Sequence, residues 1–135
     1  MLSVLHEMKP KNDFFESSSD SPVAQMSDQE FLQAKATYFG LMTEIDEQLG
    51  RIFDYLKATN QYDSTLIVFT SDHGEQLGDH YLFGKLGYFD ASYHIPLIIR
   101  DPKRQLQNVK TLEHFSESVD VMPTILDWLG MEIPD

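Results

Sequence analysis

Two Asp-His pairs follow one apolar run of the sequence. Asp72-His73 comes directly after "TLIVFT" (Thr65 to Thr70), and Asp79-His80 lies a few residues further on. Asp supplies a hard carboxylate oxygen and His a neutral imidazole nitrogen, and a divalent metal ion accepts both. A loop dipeptide of this kind is also common as a turn with a surface histidine. Because ligands bind beyond the carboxyl ends of strands in open α/β sheets, we predict that Asp72 and His73 form part of a metal site.

The loop after this pair carries further candidate residues. Lys85 lies among glycines and could bind an anionic substrate oxygen or protonate a leaving group, whereas the alternative is a solvated surface lysine. For Asp79-His80 we favour a structural role in the loop. His94 precedes "IPLIIR" and either touches the site or is a satisfied histidine at a strand entrance.

Strands must hold these side chains in place. "TLIVFT" is β-branched and aromatic without alternation, which predicts a central parallel strand buried on both faces. "PLIIR" (Pro96 to Arg100) predicts a second strand of the same kind. Neighbouring side chains of a regular strand point in opposite directions, so Asp72 and His73 can share one ion only if the backbone turns, and Gly74 would ease that turn.

Helices are expected on both sides of the strand region. Ser27 and Glu30 form a capping box at the start of a long amphipathic helix that we expect to end near Asn60. Gly40 and Gly50 inside this helix predict close packing against another element.

The two ends of the chain differ in character. "SESVDVMPTILDWLGMEIP" predicts a short helix that Ser118 or Asp120 caps, with Pro123 in the first turn and Gly130 as the stop. The Ser-rich stretch Glu16 to Gln25 predicts a loop. We therefore divide the chain into an N-terminal segment, 1–26, and an α/β domain, 27–135.

Composition excludes several classes of partner. The chain has 135 residues and a formal net charge of -12, which argues against nucleic acid and against an anionic membrane. No window is apolar enough for a spanning helix. The absence of cysteine excludes disulfides and zinc-thiolate sites, and it favours a cytoplasmic location.

Several segments together resemble the sulfatase branch of the alkaline phosphatase superfamily, most closely the phosphonate monoester hydrolases, which are also phosphodiesterases. The motifs are "SDHG", the loop with its lysine, and the "VDVMPT" helix. The resemblance implies a three-layer α/β/α alkaline-phosphatase-like sandwich, present here as a fragment. It matches Asp72 and His73 to metal ligands and Lys85 to the lysine that contacts the phosphoryl or sulfuryl group.

The resemblance also implies a cofactor and a nucleophile. The ion is a divalent metal such as Mn²⁺, Ca²⁺ or Mg²⁺, and one His also permits Fe²⁺ or Zn²⁺. The family's nucleophile is a formylglycine made from the Cys or Ser of a C/S-x-P/A-x-R motif, and formylglycine is not present in this chain because no such motif occurs in it. We expect the chain alone to bind metal weakly and to lack hydrolase activity, since two protein ligands rarely hold a divalent ion tightly.

Alternatives to the phosphonate hydrolase remain open at this point. A sulfatase fragment fits the same motifs, and a non-catalytic remnant of the fold fits the missing nucleophile. We expect a small anionic ester as substrate of the full enzyme. We also expect homo-oligomers, because sheet edges and apolar helix faces without partners favour association.

Overall fold

The structure, a computed structural model, describes residues 22–104 and 111–134. The chain divides into two compact units after Lys103. Among the described residues, the first unit contains two helices, a strand, a long loop, a short helix and a second strand, and the second contains one helix. The site residues all belong to the first unit.

The first helices lie where the N-terminal segment meets the predicted long helix. Helix α1 spans Pro22–Gln25, so this part of the expected loop is helical, and the rest of that loop lies outside the described residues. Proline favours a helix start because its φ is already helical and its missing N–H has no intrahelical partner there. Helix α2 spans Asp28–Ala58. Its capping box is confirmed: the Ser27 N–H donates to Glu30 Oε2 at 2.8 Å, and Ser27 Oγ accepts from the Glu30 N–H at 3.3 Å.

The end of α2 differs slightly from the prediction. Thr59 is the C-cap, and Asn60 follows it with φ 55°. Asn tolerates this left-handed conformation better than most residues, which explains why it stands one position beyond the cap.

The strands pair in the opposite sense to the prediction. Strand β1 (Ile67–Thr70) and strand β2 (Leu97–Arg100) are antiparallel, with Ile67 opposite Arg100 and Thr70 opposite Leu97. A parallel pair needs a crossover, usually a full helix. The connection here holds only a 3-10 turn, Asp79–Tyr81, and the four-residue helix α3, Asp90–Tyr93. The prediction of parallel pairing for these two strands was therefore wrong.

Burial of the strands was also predicted wrongly. Phe69 is 36% exposed and Ile98 is 61% exposed. Within residues 22–104 and 111–134 the sheet has two strands only, so each strand has a partner on one edge. The buried apolar side chains of the described ranges are instead Val23 on α1 and Phe31 on α2.

Most of α2 presents apolar side chains to solvent. Six of them are at least half exposed: Phe39, Leu41, Met42, Ile45, Ile52 and Tyr55. A Cβ added at Gly40 or Gly50 would meet no atom within 4 Å, so the predicted close packing at these glycines is wrong for the described residues. The interior of the unit thus lies at the first turns of α2 and in the loop.

Arg100 fastens the end of β2 to the turn that precedes β1. Its guanidinium donates to the carbonyl oxygens of Tyr62 at 2.6 Å and Thr65 at 3.0 Å, and it lies 3.9 Å from the centre of the Tyr62 ring. A 3.4 Å contact to the Asp63 carboxylate adds charge pairing. The Arg100 side chain therefore holds together the end of the strand pair at which Ile67 lies opposite Arg100.

The second unit contains helix α4, Val121–Leu129, preceded by a 3-10 turn at Ser118–Asp120. Pro123 lies in its first turn and Gly130 ends it with φ 71°, as predicted. Asp120, one of the two predicted caps, is the N-cap residue of α4. Its carboxylate makes no capping bond to α4 but accepts from the Glu117 N–H at 2.8 Å and so caps the 3-10 turn.

Candidate metal and anion site

Asp72 and His73 turn toward each other at the end of β1. Asp72 Oδ2 lies 3.6 Å from His73 Nε2, so the two side chains do not alternate as they would in a regular strand. The backbone bends here: Ser71 Oγ donates to the His73 carbonyl at 2.7 Å, and the His73 N–H donates to Asp72 Oδ1 at 3.1 Å. Side chains that adjoin in sequence therefore face a common point.

The His73 ring is oriented by its other nitrogen. Nδ1 lies 2.7 Å from the Gly74 carbonyl oxygen. A carbonyl oxygen only accepts, so Nδ1 carries the proton in this arrangement. When the ring is neutral, this arrangement presents the Nε2 lone pair on the side of Asp72, and this is the form in which histidine binds a metal.

The Asp72 carboxylate is held in its ionised form. Burial by neighbouring atoms raises its pKa, but the charge of His73, backbone hydrogen bonds from Asp72 and His73, and the charge of Lys85 outweigh this and hold the pKa below its usual range. The Asp72 side chain is 84% exposed. A hard anionic oxygen is therefore available at neutral pH beside the imidazole nitrogen.

Gly74 has a different role from the predicted one. A Cβ at this position would lie 2.1 Å from the Ala91 carbonyl oxygen, and the Gly74 N–H donates to the Ser92 carbonyl at 2.8 Å. Glycine is required because another backbone segment approaches closely, not because the turn needs an unusual φ. The residue after the ligand pair is thereby held against helix α3.

The loop that carries Lys85 closes back on the residues that follow the metal pair. The Gln76 N–H donates to the Gly84 carbonyl at 2.8 Å, and the Gly84 N–H donates to a Glu75 carboxylate oxygen. These contacts bring the residue before Lys85 back beside the residues that follow the metal pair. Lys85 is exposed, and its charge acts on Asp72. The three predicted site residues thus lie in one closed segment of the chain, Asp72 to Lys85.

The other candidate residues have separate surroundings. His80 stacks on Phe89 with ring centres 3.8 Å apart, and Asp79 begins a 3-10 turn. His94 is exposed at the end of α3. In the described ranges, 22–104 and 111–134, no group of three or more His, Asp or Glu side chains gathers as a metal site. This part of the chain brings two metal-type ligands together.

A groove of about 680 Å³ lies between α2 and the loop, lined in part by Tyr38, Leu41, Leu77 and Phe83. Asp72, His73 and Lys85 are not among its lining residues. The groove and the charged surface are therefore different features of the unit.

Sequence reasoning missed the residues that shape the loop. Gln76 is 0% exposed and Ser92 is 3% exposed, although both residue types are normally found at the surface. Nothing in "GEQLG" distinguishes a buried Gln from a solvated one. Gly78 carries a partial signal, since its φ is 94° and an added Cβ would meet the ring of Phe31 at 2.1 Å.

A family model described as Sulfatase matches residues 4–131. A protein of Trinickia caryophylli described as a multifunctional alkaline phosphatase superfamily protein, PehA, is 54% identical over 124 residues, which make up 92% of this chain and 24% of that protein. No helix among the described residues is long and apolar enough to cross a bilayer.

Solved structures agree with this match. The phosphonate monoester hydrolase SpPMH from Silicibacter pomeroyi has a TM-score of 0.75 and 52% identity, over 80% of this chain and 21% of that one. BT4656, solved with its substrate D-glucosamine-2-N,6-O-disulfate, has a TM-score of 0.65 and 39% identity, over 70% of this chain and 19% of that one. The likeness confirms the predicted alkaline-phosphatase-like α/β fold.

The chain spans about a quarter of the length of the curated relatives it matches, with 24% for PehA. The family match, in contrast, takes in nearly all of its residues. The chain therefore belongs to the sulfatase family, whose alkaline-phosphatase-like members are metal-dependent hydrolases.

Proposed function

We propose that this chain supplies two metal ligands, Asp72 and His73, and an anion contact, Lys85, to a hydrolase of phosphonate monoesters and phosphodiesters. The observation that carries the proposal is the 3.6 Å approach of Asp72 Oδ2 to His73 Nε2, with His73 Nδ1 tied to the Gly74 carbonyl. The name of SpPMH, a phosphonate monoester hydrolase, supports the substrate class.

The donor set fits a divalent metal. One carboxylate oxygen and one imidazole nitrogen suit Mn²⁺, and they are also compatible with Ca²⁺, Mg²⁺, Fe²⁺ or Zn²⁺ when other oxygen ligands are added. The metal, when bound, would stabilise negative charge on the non-bridging oxygens of the ester. We propose Mn²⁺, Ca²⁺ or Mg²⁺ as the native ion.

The chain's own residues bind and orient in this proposal. Asp72 and His73 hold the ion, and the Gly74 carbonyl keeps the His73 lone pair on the side of Asp72. The Lys85 ammonium donates to an anionic oxygen of the substrate and so places the phosphoryl group beside the ion. The formylglycine nucleophile is assigned to no residue of this chain, whose sequence lacks the C/S-x-P/A-x-R motif.

Titration with Mn²⁺, followed by the electron paramagnetic resonance of the free ion, tests the metal site. We expect weak binding, with a dissociation constant of about 1 mM, because two protein ligands are available. Asp72→Asn and His73→Ala should each weaken it at least about tenfold.

Asp79→Asn is the matched control, since it removes the same charge from the same loop. It should leave the dissociation constant within about twofold. Equal losses in Asp72→Asn and Asp79→Asn would mean that Mn²⁺ responds only to the net charge of -12, and the metal site would be disproved. We expect this chain alone to leave 4-nitrophenyl phenylphosphonate unhydrolysed above a metal-only blank.

A sulfatase is the second candidate, and the sulfated sugar bound by BT4656 supports it. Both ester classes present tetrahedral anions to the metal and the lysine. Competition between two singly charged esters, 4-nitrophenyl phenylphosphonate and 4-nitrophenyl sulfate, for the Mn²⁺-loaded chain discriminates them. Tighter binding of the phosphonate ester supports the first candidate, and tighter binding of the sulfate ester supports the second.

We also propose that the chain acts in the cytoplasm, in agreement with its lack of cysteine.

We further propose that the chain associates with copies of itself. The exposed apolar face of α2 supports association, since Ile45 and Ile52 are 55% and 53% exposed.

Sedimentation velocity at rising concentration tests the association. We expect dimers, and we expect Ile45→Glu with Ile52→Glu to weaken them at least about tenfold, because two charges would be buried. Glu44→Gln with Glu47→Gln is the control at neighbouring positions that lack apolar side chains. A wild-type chain that remains monomeric would refute the proposal.

A further inference from the structure

Gln76 is a fully buried polar side chain in the loop between the metal pair and Lys85. It is 0% exposed, and burying an amide is costly unless the amide is hydrogen-bonded. A leucine would fill the same space at a lower cost in desolvation. The hydrogen bonds of Gln76 are therefore the feature that needs an explanation.

The bonds of Gln76 fall on both sides of Lys85. Its backbone N–H donates to the Gly84 carbonyl at 2.8 Å, and its side-chain Nε2 donates to the Leu86 carbonyl. The residues before and after Lys85 are thereby tied to the same residue. Because carbonyl oxygens only accept, the NH₂ end of the amide must face Leu86.

A further bond of Gln76 leads back to the metal pair. Nε2 also donates to Ser92 Oγ at 2.8 Å. The Ser92 carbonyl in turn accepts from the Gly74 N–H at 2.8 Å, and Gly74 directly follows His73. Gln76 is therefore the residue through which the lysine loop and the metal-ligand turn meet.

We infer that Gln76 is a positioning residue, which holds the backbone around Lys85 at a set distance from Asp72 and His73 through its bonds to Gly84, Leu86 and Ser92. The catalytic meaning of this arrangement rests on the proposed function, since it is Lys85 that would touch the substrate. The amide carbonyl, Oε1, has no hydrogen-bond partner within the described residues, so the Nε2 bonds alone decide the orientation of the amide.

Gln76→Glu is the sharpest variant because it keeps the shape and removes the donor. A carboxylate oxygen would then face the Leu86 carbonyl, and two acceptors repel each other. Gln76→Met is a second variant of similar length that places no charge in the interior and loses the same bonds. Glu75→Gln is the matched control, since its amide oxygen can still accept from the Gly84 N–H.

The first measurement is ¹⁵N relaxation of the metal-free chain, which does not depend on the proposed function. We expect the order parameters of Lys85 and Leu86 to fall from about 0.85 to below about 0.6 in both Gln76 variants and to remain high in Glu75→Gln. Order parameters that stay at the wild-type value in a folded Gln76→Met chain would overturn the inference.

The second measurement is the affinity of the Mn²⁺-loaded chain for phenylphosphonate, taken as a double-mutant cycle with Lys85→Ala. Gln76→Met and Lys85→Ala should each weaken phenylphosphonate binding about fivefold, and the double variant should be within about twofold of Lys85→Ala alone. Mn²⁺ affinity should stay within about twofold of wild type in Gln76→Met. A merely structural role would give additive losses and would lower Mn²⁺ affinity too.

The two measurements separate the two proposals. If the wild-type chain binds no Mn²⁺, the proposed function fails, while the order parameters still decide whether Gln76 holds the loop. If Mn²⁺ binds and the losses in phenylphosphonate affinity add, the positioning role fails while the metal site stands.

Discussion

The loop that carries the site and the helix that precedes it are built in different ways. In the loop and helix α3, residues 71–93, polar side chains and backbone groups are bonded to one another, and Gln76 and Ser92 are almost inaccessible to water. Along α2 the apolar side chains of Phe39 and Ile45 are 55% exposed. The loop therefore derives its shape from its own hydrogen bonds, whereas the helix has apolar area that its own unit does not bury.

This contrast explains how a short chain can present an ordered ligand pair. Hydrogen bonds between residues close in sequence form within the segment, and each contributes about 1 kcal/mol. Burial of apolar area needs a second surface, and each large side chain left exposed forgoes about 1.5 to 3 kcal/mol. We expect substitutions in the loop to act on local geometry and substitutions along α2 to act on association.

The largest expected change in the free energy of unfolding comes from an alanine substitution in the loop, compared with the same substitution in α2. Gly74→Ala places a Cβ against the Ala91 carbonyl and should lower the free energy of unfolding by about 3 kcal/mol. Gly50→Ala meets no atom and should raise it by about 0.5 to 1 kcal/mol, because alanine is the better helix former. Urea unfolding followed by circular dichroism measures the free energy of unfolding of both variants. Equal stability of the two variants would contradict the difference in packing between the loop and α2.

A smaller loss in the free energy of unfolding is expected from a substitution of Arg100 at the end of the strand pair. Arg100→Met removes the bonds to the Tyr62 and Thr65 carbonyls and should cost about 2 kcal/mol in the free energy of unfolding. Asp63→Asn is the control, because Asp63 is 98% exposed and its single 3.4 Å contact should be worth under about 0.5 kcal/mol. Urea unfolding measures this pair as well. A larger loss in Asp63→Asn than in Arg100→Met would show that charge pairing, and not the carbonyl bonds, holds the strands.

The smallest loss in the free energy of unfolding is expected from a substitution at the start of α2, near the buried Phe31. Ser27→Ala should cost about 1 kcal/mol by removal of the cap. Hydrogen bonds from the Ser27 side chain and backbone lower the pKa of Glu30 below its usual range. The stabilisation that Glu30 provides is therefore fully present above its unfolded-state pKa and is lost as the pH falls through the lowered folded-state pKa.

Thermal unfolding of Glu30→Ala across the acid range measures this dependence. The difference in melting temperature between wild type and Glu30→Ala should be largest near neutral pH and should shrink below about pH 4. Gln29→Ala, a neighbour without a carboxyl group, should show a difference that does not change with pH. A Glu30→Ala difference that grows on acidification would contradict the assigned hydrogen bonds.

Local signals explain what could be predicted of the elements. The capping box at Ser27 and the stop at Gly130 depend on residues within one turn of helix, so the sequence is sufficient for them. The prediction that β1 and β2 are parallel strands was wrong, because apolar composition does not report the direction of the neighbouring strand. The packing role given to Gly40 and Gly50 was wrong for the same reason, since nothing local records what lies opposite a glycine.

The sequence by itself determined the residue types of the site, namely a carboxylate beside an imidazole at a strand end and a lysine in the loop that follows. It also determined the family, because the motifs stand in order along the chain. Only the tertiary structure decided that Asp72 and His73 face one point. It also decided that the Ala91 carbonyl occupies the space of a Cβ at Gly74, and that Gln76 forms hydrogen bonds on both sides of Lys85. The physical reason is that a hydrogen bond depends on where two chain segments meet in space, and residue types along a single segment do not record that meeting.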